Sequence, residues 1–170
     1  VMVDRSLENN IRSAQGRDLE VVARNRELLG KAAISNAKLA YKRFLEMFYG
    51  ETFAKLRAAG AQVQRPLWAS TGSKNPAYPD TIYVDSLIGK DTVNTVPPAT
   101  LKAFKDHGTA ADTLGEGLDT VEQTMNALAQ AGIDMNHVTT QLQADGVALF
   151  VEAFENLMKQ VEAKRDVLQA

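Results

Sequence analysis

The polar residues with the clearest chemical potential are Ser70, at the end of the short apolar run 65–70, and Lys74 and Asn75, in the loop over residues 71–79 that follows it. In folds built on parallel strands, residues just beyond the carboxyl end of a strand face the ligand site. A lysine ammonium binds phosphate as a point charge, so this loop is a candidate phosphate site. The alternatives are a solvated loop lysine and, for Asn75, a side chain that braces its own turn.

The two histidines do not indicate a metal site, because neither has further ligands nearby in the sequence. His107 is expected at the C-terminus of a helix, just before Gly108, where a cation interacts favourably with the helix dipole. His137 follows Asn136 near a helix start and has no evident partner. A structural role is therefore the favoured interpretation of His107, and no metal is predicted.

The acidic residues are spaced along predicted helices. Asp80 and Asp85, like Glu152 and Glu155, are expected on solvated faces, and their spacing alone does not identify a general acid–base pair. The absence of cysteine excludes thiolate chemistry and disulfide bonds. No Walker loop, dinucleotide-binding fingerprint or zinc motif occurs, so no cofactor is predicted.

The composition is that of one ordinary domain with room for a packed core: 170 residues, of which 45% are hydrophobic. A net charge of −2 argues against a nucleic-acid-binding protein, which usually carries a basic stripe. No apolar run approaches the roughly 20 residues that span a bilayer, and no signal peptide is evident. A cytoplasmic protein without a membrane partner is expected. The start at Val1, in what reads as a first helical turn, suggests that further residues precede it.

Apolar residues at spacings of three and four predict helix for most of the chain. Two runs bounded by turn residues predict strands at 65–70 and 91–96, with Trp68 packed internally rather than stacked on a substrate. Asp80 is expected to cap the helix between the strands, and Pro98 to begin the helix after them. The predicted helices span about residues 4–14, 18–49, 51–59, 81–88 and 99–106, followed by two more around 118–128 and 147–161.

Strand, helix and strand at this spacing form a βαβ unit, whose two strands are parallel. A two-stranded parallel sheet is not stable by itself, because parallel strands need both faces covered. The predicted fold class is therefore α/β, an arc of a (β/α)8 TIM barrel that is helix-rich and incomplete. The chain supplies about two of the eight strands, so the others are expected upstream.

The stretch from Leu67 to Pro97 contains the motifs LWASTGSKNPAY, DTIYVDSLIG and DTVNTVP. Shorter motifs are GKAAI at 30–34, NAKLAY at 36–41, ATL at 99–101 and DHG at 106–108. With these motifs nearly the whole chain resembles bacterial-type transaldolases, and the stretch from Leu67 to Pro97 is the most specific part. The resemblance implies barrel strands seven and eight with their helices. It therefore places residues 1–170 in the C-terminal portion of a single barrel domain, with no separate second domain.

The resemblance implies transfer of a dihydroxyacetone unit between sugar phosphates in the pentose phosphate pathway. Sedoheptulose 7-phosphate and glyceraldehyde 3-phosphate would give erythrose 4-phosphate and fructose 6-phosphate through a lysine Schiff base. The family motifs that carry that lysine are absent from this sequence, so no catalytic residue is expected in this chain. The implied partners are sugar-phosphate substrates and the missing N-terminal part of the barrel.

Two positions bear on how such a family member would bind phosphate. Lys74 aligns with a phosphate-binding arginine of the family, although the loop in this chain is longer; Ser70 and Asn75 are the accompanying candidates. Met2 precedes the pair Val3-Asp4, where the family places another phosphate-contacting arginine. Either that arginine is substituted in this chain, or the sequence is altered near its start.

Two other interpretations of the chain stay open. It could be a helical interaction module without a catalytic role, or the transaldolase part of a fusion with a sugar-phosphate isomerase. A homo-oligomer is also possible, because strand faces that lack their neighbours would leave apolar surface exposed.

Overall fold

A computed structural model describes residues 2–14, 16 and 18–169. This part of the chain forms a two-stranded sheet and eight helices, and it divides into two compact units, residues 1–132 and 133–170. In chain order the elements are α1 (Met2–Ala14), α2 (Leu19–Leu28), α3 (Lys31–Tyr49), α4 (Glu51–Ala58), β1 (Leu67–Ala69), α5 (Ile82–Asp85), β2 (Val93–Thr95), α6 (Pro98–His107), α7 (Val121–Gln130) and α8 (Met135–Gln169).

The two strands pair in parallel, as the βαβ spacing predicts. Leu67 lies opposite Val93 and Ala69 opposite Thr95, which fixes the register. The strands are shorter than predicted, with three residues each. Trp68 is buried, whereas Leu67 is 52% exposed, so only one face of the sheet is covered by other residues of this unit. The result is the helix-rich α/β arrangement with few parallel strands that the sequence predicts.

The prediction of one helix over residues 18–49 is wrong, because the chain breaks between α2 and α3. Leu29 leaves the helical region with φ −58° and ψ 135°, and Gly30 adopts a left-handed φ of 75°. A residue without Cβ takes this conformation without strain. Asp18 caps α2 by accepting hydrogen bonds from the backbone N–H groups of Glu20 and Val21. Gly30 therefore separates the predicted single helix into α2 and α3.

The helix between the strands is also shorter than predicted. It covers Ile82–Asp85 instead of 81–88, and the preceding N-cap residue, Thr81, makes no side-chain cap hydrogen bond. The prediction that Asp80 caps this helix is wrong, because its carboxylate binds His107 at the end of α6. Asp85 is not solvated either: its carboxylate accepts hydrogen bonds from Thr81 and from the backbone of Thr109. Both aspartates join segments of the fold.

The core around the sheet forms where the apolar stripe of α3 meets β1. Its buried members are Tyr41, Phe44, Trp68, Leu87 and Leu114. The Trp68 indole N–H donates to the carbonyl of Leu87 at 3.2 Å, so its polar atom is satisfied inside the core. The prediction that Trp68 packs internally is confirmed. This core fixes the start of the loop that follows β1.

The unit of residues 133–170 is dominated by the long helix α8. Its residues Glu152 and Glu155 are exposed, as expected for solvated positions. Its apolar side chains are exposed as well; they include Val147, Phe150, Val151, Phe154, Leu157, Met158 and Val161. These seven residues lie at positions 147, 150/151, 154, 157/158 and 161, a helical spacing of three and four, so they form one stripe, the α8 stripe, along the helix.

No helix in the described ranges is long and apolar enough to cross a membrane.

Candidate phosphate-binding site

The three predicted site residues lie together in one pocket of about 380 Å³, the Lys74 pocket. Its walls are formed by the beginning of α1 and by the loop over residues 70–78, which we call the Lys74 loop. Tyr83 of α5 also contributes to the lining. The lining residues are Asp4, Arg5, Glu8, Ser70, Gly72, Lys74, Asn75, Pro76, Tyr78 and Tyr83. The pocket therefore begins at the carboxyl end of β1, where parallel-strand folds place ligand sites.

Ser70 has an unusual backbone at the end of β1. Its φ is 54°, in the left-handed region that residues other than glycine seldom adopt. Such a conformation costs on the order of 1–3 kcal/mol and is concentrated at ligand-binding sites. This left-handed conformation turns the chain out of the strand and towards the Lys74 pocket. A glycine would take this turn without strain. The serine instead places a hydroxyl at the pocket wall, and this hydroxyl is a candidate ligand contact.

Hydrogen bonds within the Lys74 loop fix its shape. The Asn75 side-chain oxygen accepts from the Ala77 N–H at 2.9 Å, and the Asn75 carbonyl accepts from the Tyr78 N–H at 3.1 Å. The Ser73 hydroxyl also donates to the Asn75 carbonyl at 3.0 Å. Asn75 thus braces its own turn, as expected of an asparagine in a loop. Its amide N–H groups make no hydrogen bond within the described ranges, so they can donate to a ligand.

Lys74 is the cation at the tip of this braced turn. Its side chain is exposed, and it forms no ion pair or hydrogen bond with any described residue. An ammonium group without an internal partner keeps its three donors for a ligand. The loop therefore presents a positive charge on a backbone that is already ordered, which lowers the entropic cost of binding.

The wall from α1 was not predicted from the sequence. Arg5 and Glu8 line the pocket, and the carboxylate of Asp4 accepts a hydrogen bond from the Gly30 N–H at 3.0 Å. Arg5 brings a second cation to the pocket, while Met2 is not among the lining residues. The available signal was the i, i+4 spacing of Asp4 and Glu8, which places both on one helix face. Nothing local indicates that this face meets the Lys74 loop.

Tyr78 closes the far end of the Lys74 loop against the joint between α2 and α3. A Cβ built on Gly30 would lie 3.3 Å from the Cζ atom of the Tyr78 ring, so the ring rests directly on this glycine. The Tyr78 hydroxyl is buried and has no hydrogen bond of ordinary geometry to a described residue. Burial, followed by the negative charge of Asp4, raises the pKa of Tyr78 to about 12. The phenol is therefore neutral near the Asp4 carboxylate.

His107 lies outside the Lys74 pocket and connects α6 to Asp80, two residues before α5. Its Nε2 atom is 2.9 Å from the Asp80 carboxylate, and its Nδ1 atom is 3.2 Å from that of Asp106. This agrees with a structural role at a helix C-terminus. Among the described residues there is no group of three or more His, Cys, Asp or Glu side chains that could hold a metal ion.

We expect the His107–Asp80 pair to make stability depend on pH. The hydrogen bond with Asp80 raises the pKa of His107, and the same bond lowers the pKa of Asp80. The histidine contribution is complete below the unfolded pKa of about 6.5 and is lost as pH rises through the higher folded value. The aspartate contribution is complete above an unfolded pKa of about 3.9 and is lost as pH falls through the lower folded value.

The measurement is the melting temperature of the parent chain minus that of His107→Gln, between pH 3 and 9. The difference should be largest near pH 5 and decrease towards both ends of the range. It should stay small throughout, because both side chains are more than half exposed. A difference that does not change with pH would contradict a charged pair.

The residues that line this pocket lie in a part of the chain that matches known proteins. Residues 4–161 match the transaldolase/fructose-6-phosphate aldolase family. A protein of Neisseria meningitidis serogroup A named transaldolase is 56% identical over 131 residues, which cover 77% of this chain and 37% of the relative. A transaldolase of Arthrobacter sp. is 47% identical over 136 residues, covering 79% of this chain and 37% of the relative.

A transaldolase of Saccharopolyspora erythraea aligns over more of the chain. It is 41% identical over 168 residues, covering 96% of this chain and 43% of the relative. The chain thus spans about two fifths of the length of the curated relatives that it matches. The family match contains both walls of the Lys74 pocket, since it begins at residue 4 and continues past the Lys74 loop.

Proposed function

The chain belongs to the transaldolase/fructose-6-phosphate aldolase family, and on that basis we propose that it forms the phosphate-binding part of a transaldolase active site. In the proposed reaction a dihydroxyacetone unit moves from sedoheptulose 7-phosphate to glyceraldehyde 3-phosphate, within the pentose phosphate pathway in the cytoplasm. A lysine holds the unit as a Schiff base between donor and acceptor. We propose that this lysine belongs to a part of the enzyme outside residues 1–170.

The observation that carries the proposal is the meeting of Ser70, Lys74 and Asn75 with Arg5 in one pocket. A sugar phosphate presents an anionic group at one end and hydroxyl groups along its chain. The two cations suit the phosphate oxygens, since charge-assisted hydrogen bonds are about twice as strong as neutral ones. The carboxylate of Glu8 can accept hydrogen bonds from sugar hydroxyls. This mixed lining fits a sugar phosphate better than an uncharged sugar.

We also propose that the sheet is the C-terminal portion of a (β/α)8 barrel. Two observations support this: the strands are parallel, and Leu67 on β1 exposes 52% of its surface. A parallel pair normally continues into a larger sheet whose faces are both covered. In a closed barrel, further strands would pair with β1 and β2 and bury this face.

The direct test is a titration of the isotope-labelled chain, followed by NMR. Fructose 6-phosphate should shift the backbone amides of residues 70–78 and of the start of α1, with saturation. Fructose at the same concentrations should leave these amides unchanged, because it lacks the phosphate. Inorganic phosphate should shift the amides near Lys74 but fewer of those in α1. Absence of any saturable shift with fructose 6-phosphate would refute the phosphate-binding function.

Borohydride trapping with fructose 6-phosphate should label no single lysine of this chain stoichiometrically. A lysine attacks a carbonyl only when unprotonated, and an ordinary lysine, with a pKa of about 10.4, is charged at neutral pH. Enzymes lower that pKa by burying the amine or by placing it near another cation. No lysine in the described ranges is buried, and the hydrogen bond with Glu122 raises the pKa of Lys42.

Peptide mapping after reduction provides the measurement. Denatured chain serves as the control, since it reports the background labelling of ordinary surface lysines. Selective labelling of one lysine above that background, Lys74 in particular, would show that the catalytic amine lies in this chain after all.

We further propose that the isolated chain self-associates through the α8 stripe. Its phenylalanines are unusually exposed, with Phe150 at 82% and Phe154 at 63%. Contiguous apolar surface of this kind marks an interaction surface or leads to association. Sedimentation velocity should show dimers or larger species that dissociate on dilution, and Phe150→Glu with Phe154→Glu should shift the chain to monomer. A parent chain that is monomeric at all concentrations would contradict this.

A further inference from the structure

Three segments that are distant in sequence meet at one point beside the Lys74 pocket. Asp4 comes from α1, Gly30 from the joint between α2 and α3, and Tyr78 from the end of the Lys74 loop. Asp4 accepts the Gly30 N–H, and the Tyr78 ring rests on the same glycine. This contact region, the Tyr78 contact, connects the two walls of the pocket.

The geometry points to Tyr78 as a positioning residue that holds the Lys74 loop against α1, so that Lys74 and Arg5 face the same phosphate group. This inference rests on the proposed function, since it assumes that the pocket binds a sugar phosphate. It adds a residue that touches no phosphate itself: Tyr78 acts through the two cations that it brings together. Both cations line the pocket, one on each wall.

Gly30 is suited to receive the ring for two reasons. Its φ of 75° strains any side chain, and a Cβ at this position would be 3.3 Å from Cζ of Tyr78 and 3.5 Å from Cε1. The distance to Cζ is shorter than an ordinary carbon–carbon contact of about 3.5–4.0 Å. The glycine thus permits both the turn between α2 and α3 and the close approach of the Tyr78 ring.

The loop transmits the position of Tyr78 to Lys74. The Tyr78 N–H donates to the Asn75 carbonyl, and the side chain of Asn75 accepts the Ala77 N–H. The other end of the loop is fixed by Thr71, whose hydroxyl donates to the Asn94 side chain at 2.9 Å. Lys74 therefore lies between two anchored ends, and release of the Tyr78 end would leave the turn anchored at the Thr71 end alone.

The Tyr78 hydroxyl adds to the contact that the ring makes with Gly30. It is buried near the Asp4 carboxylate, although its geometry is not that of an ordinary hydrogen bond. A buried hydroxyl that lacks a partner costs free energy, so a small movement that lets it donate to Asp4 is favoured. The ring is thus expected to contribute most of the effect, and the hydroxyl a smaller part.

The test compares Tyr78→Ala, which removes the ring, with Tyr78→Phe, which removes only the hydroxyl. Hydrogen exchange of the amides of residues 71–77, monitored by mass spectrometry, reports the order of the loop without any ligand. Tyr78→Ala should accelerate this exchange at least tenfold and weaken binding of fructose 6-phosphate at least tenfold. Tyr78→Phe should show a smaller change in both quantities, because its ring still rests on Gly30.

Tyr49→Phe is the matched control. It also removes a tyrosine hydroxyl that contacts an aspartate, since Tyr49 donates to Asp91 at 2.5 Å, but it lies outside the Lys74 pocket. It should change neither loop exchange nor affinity. Exchange in α7, which contributes no residue to the Lys74 pocket, should be equal in all variants, which separates local release from general unfolding.

The outcomes distinguish this inference from the proposed function. Faster loop exchange in Tyr78→Ala together with weaker fructose 6-phosphate binding supports the positioning role. Unchanged exchange, or faster exchange with unchanged affinity, would overturn it. If the parent chain fails to bind fructose 6-phosphate while the loop is released in Tyr78→Ala, the phosphate function is refuted and the anchoring of the loop stands.

Discussion

Replacing Trp68 with alanine is expected to lower the free energy of unfolding by about 3–5 kcal/mol, the usual cost of removing a buried tryptophan. Trp68 is only 9% exposed and packs in the core formed by Tyr41, Phe44, Leu87 and Leu114. The loss has two parts: the apolar contacts of the indole ring, and the hydrogen bond from its N–H to the Leu87 carbonyl. Because this ring joins β1 to the segment that follows α5, its removal should loosen the sheet.

Urea denaturation followed by far-UV circular dichroism measures the effect, since Trp68 is the only tryptophan and its fluorescence disappears in the variant. Trp68→Phe keeps an aromatic ring but leaves the Leu87 carbonyl without its donor, so it should cost about 1–3 kcal/mol. Leu67→Ala is the control on the same strand and should cost less than Trp68→Ala, because Leu67 is 52% exposed. Equal losses for Trp68→Ala and Leu67→Ala would contradict this account of the core.

The features that sequence predicts well are those set by neighbouring residues. The apolar stripe of α3 is visible in the spacing of Tyr41 and Phe44, and both side chains are buried in the structure. The parallel pairing of β1 and β2 follows from the length of the connection between them, which is too long for a tight hairpin. The brace at Asn75 follows from a local preference of asparagine in turns. The stripe and the brace depend on residues within a short stretch, and the pairing depends on the length of one connection.

The break at Gly30 shows why helix boundaries are harder to predict. Apolar residues continue at helical spacing on both sides of the glycine, and an isolated glycine inside a helix costs only about 1 kcal/mol. The left-handed turn is favoured by tertiary contacts: the Gly30 N–H binds Asp4, and the ring of Tyr78 covers its Cα. Neither contact is visible from the residues around Gly30.

The α1 wall of the Lys74 pocket could not be predicted for the same reason. Arg5 reads as an ordinary surface residue of an amphipathic helix, and nothing near it indicates a ligand. Only the fold brings it to the same pocket as Lys74. Similarly, Asp80 has the residue type and position of a helix cap, yet the ring of His107 competes for its carboxylate. Long-range pairing decides both cases.

Replacing Lys74 with alanine is expected to weaken binding of fructose 6-phosphate by about 1.5–3 kcal/mol, the scale of a hydrogen bond to a charged group. This corresponds to a roughly 10- to 150-fold rise in the dissociation constant. Lys74 has no internal partner among the described residues, so its removal should leave the fold intact and act on the ligand alone. Arg5 stays in the pocket and should preserve part of the affinity.

Isothermal titration of the parent chain and its variants at fixed ionic strength measures the effect. Lys55→Ala is the matched control, because it removes an exposed lysine from α4, outside the Lys74 pocket, with the same change in net charge. A general electrostatic effect would weaken binding equally in both variants and would disappear at high salt. A specific contact predicts a large loss for Lys74→Ala, almost none for Lys55→Ala, and partial recovery in Lys74→Arg, whose guanidinium also binds phosphate. Equal dissociation constants for Lys74→Ala and the parent chain would exclude Lys74 from the phosphate site and leave Arg5 as the pocket's main cation.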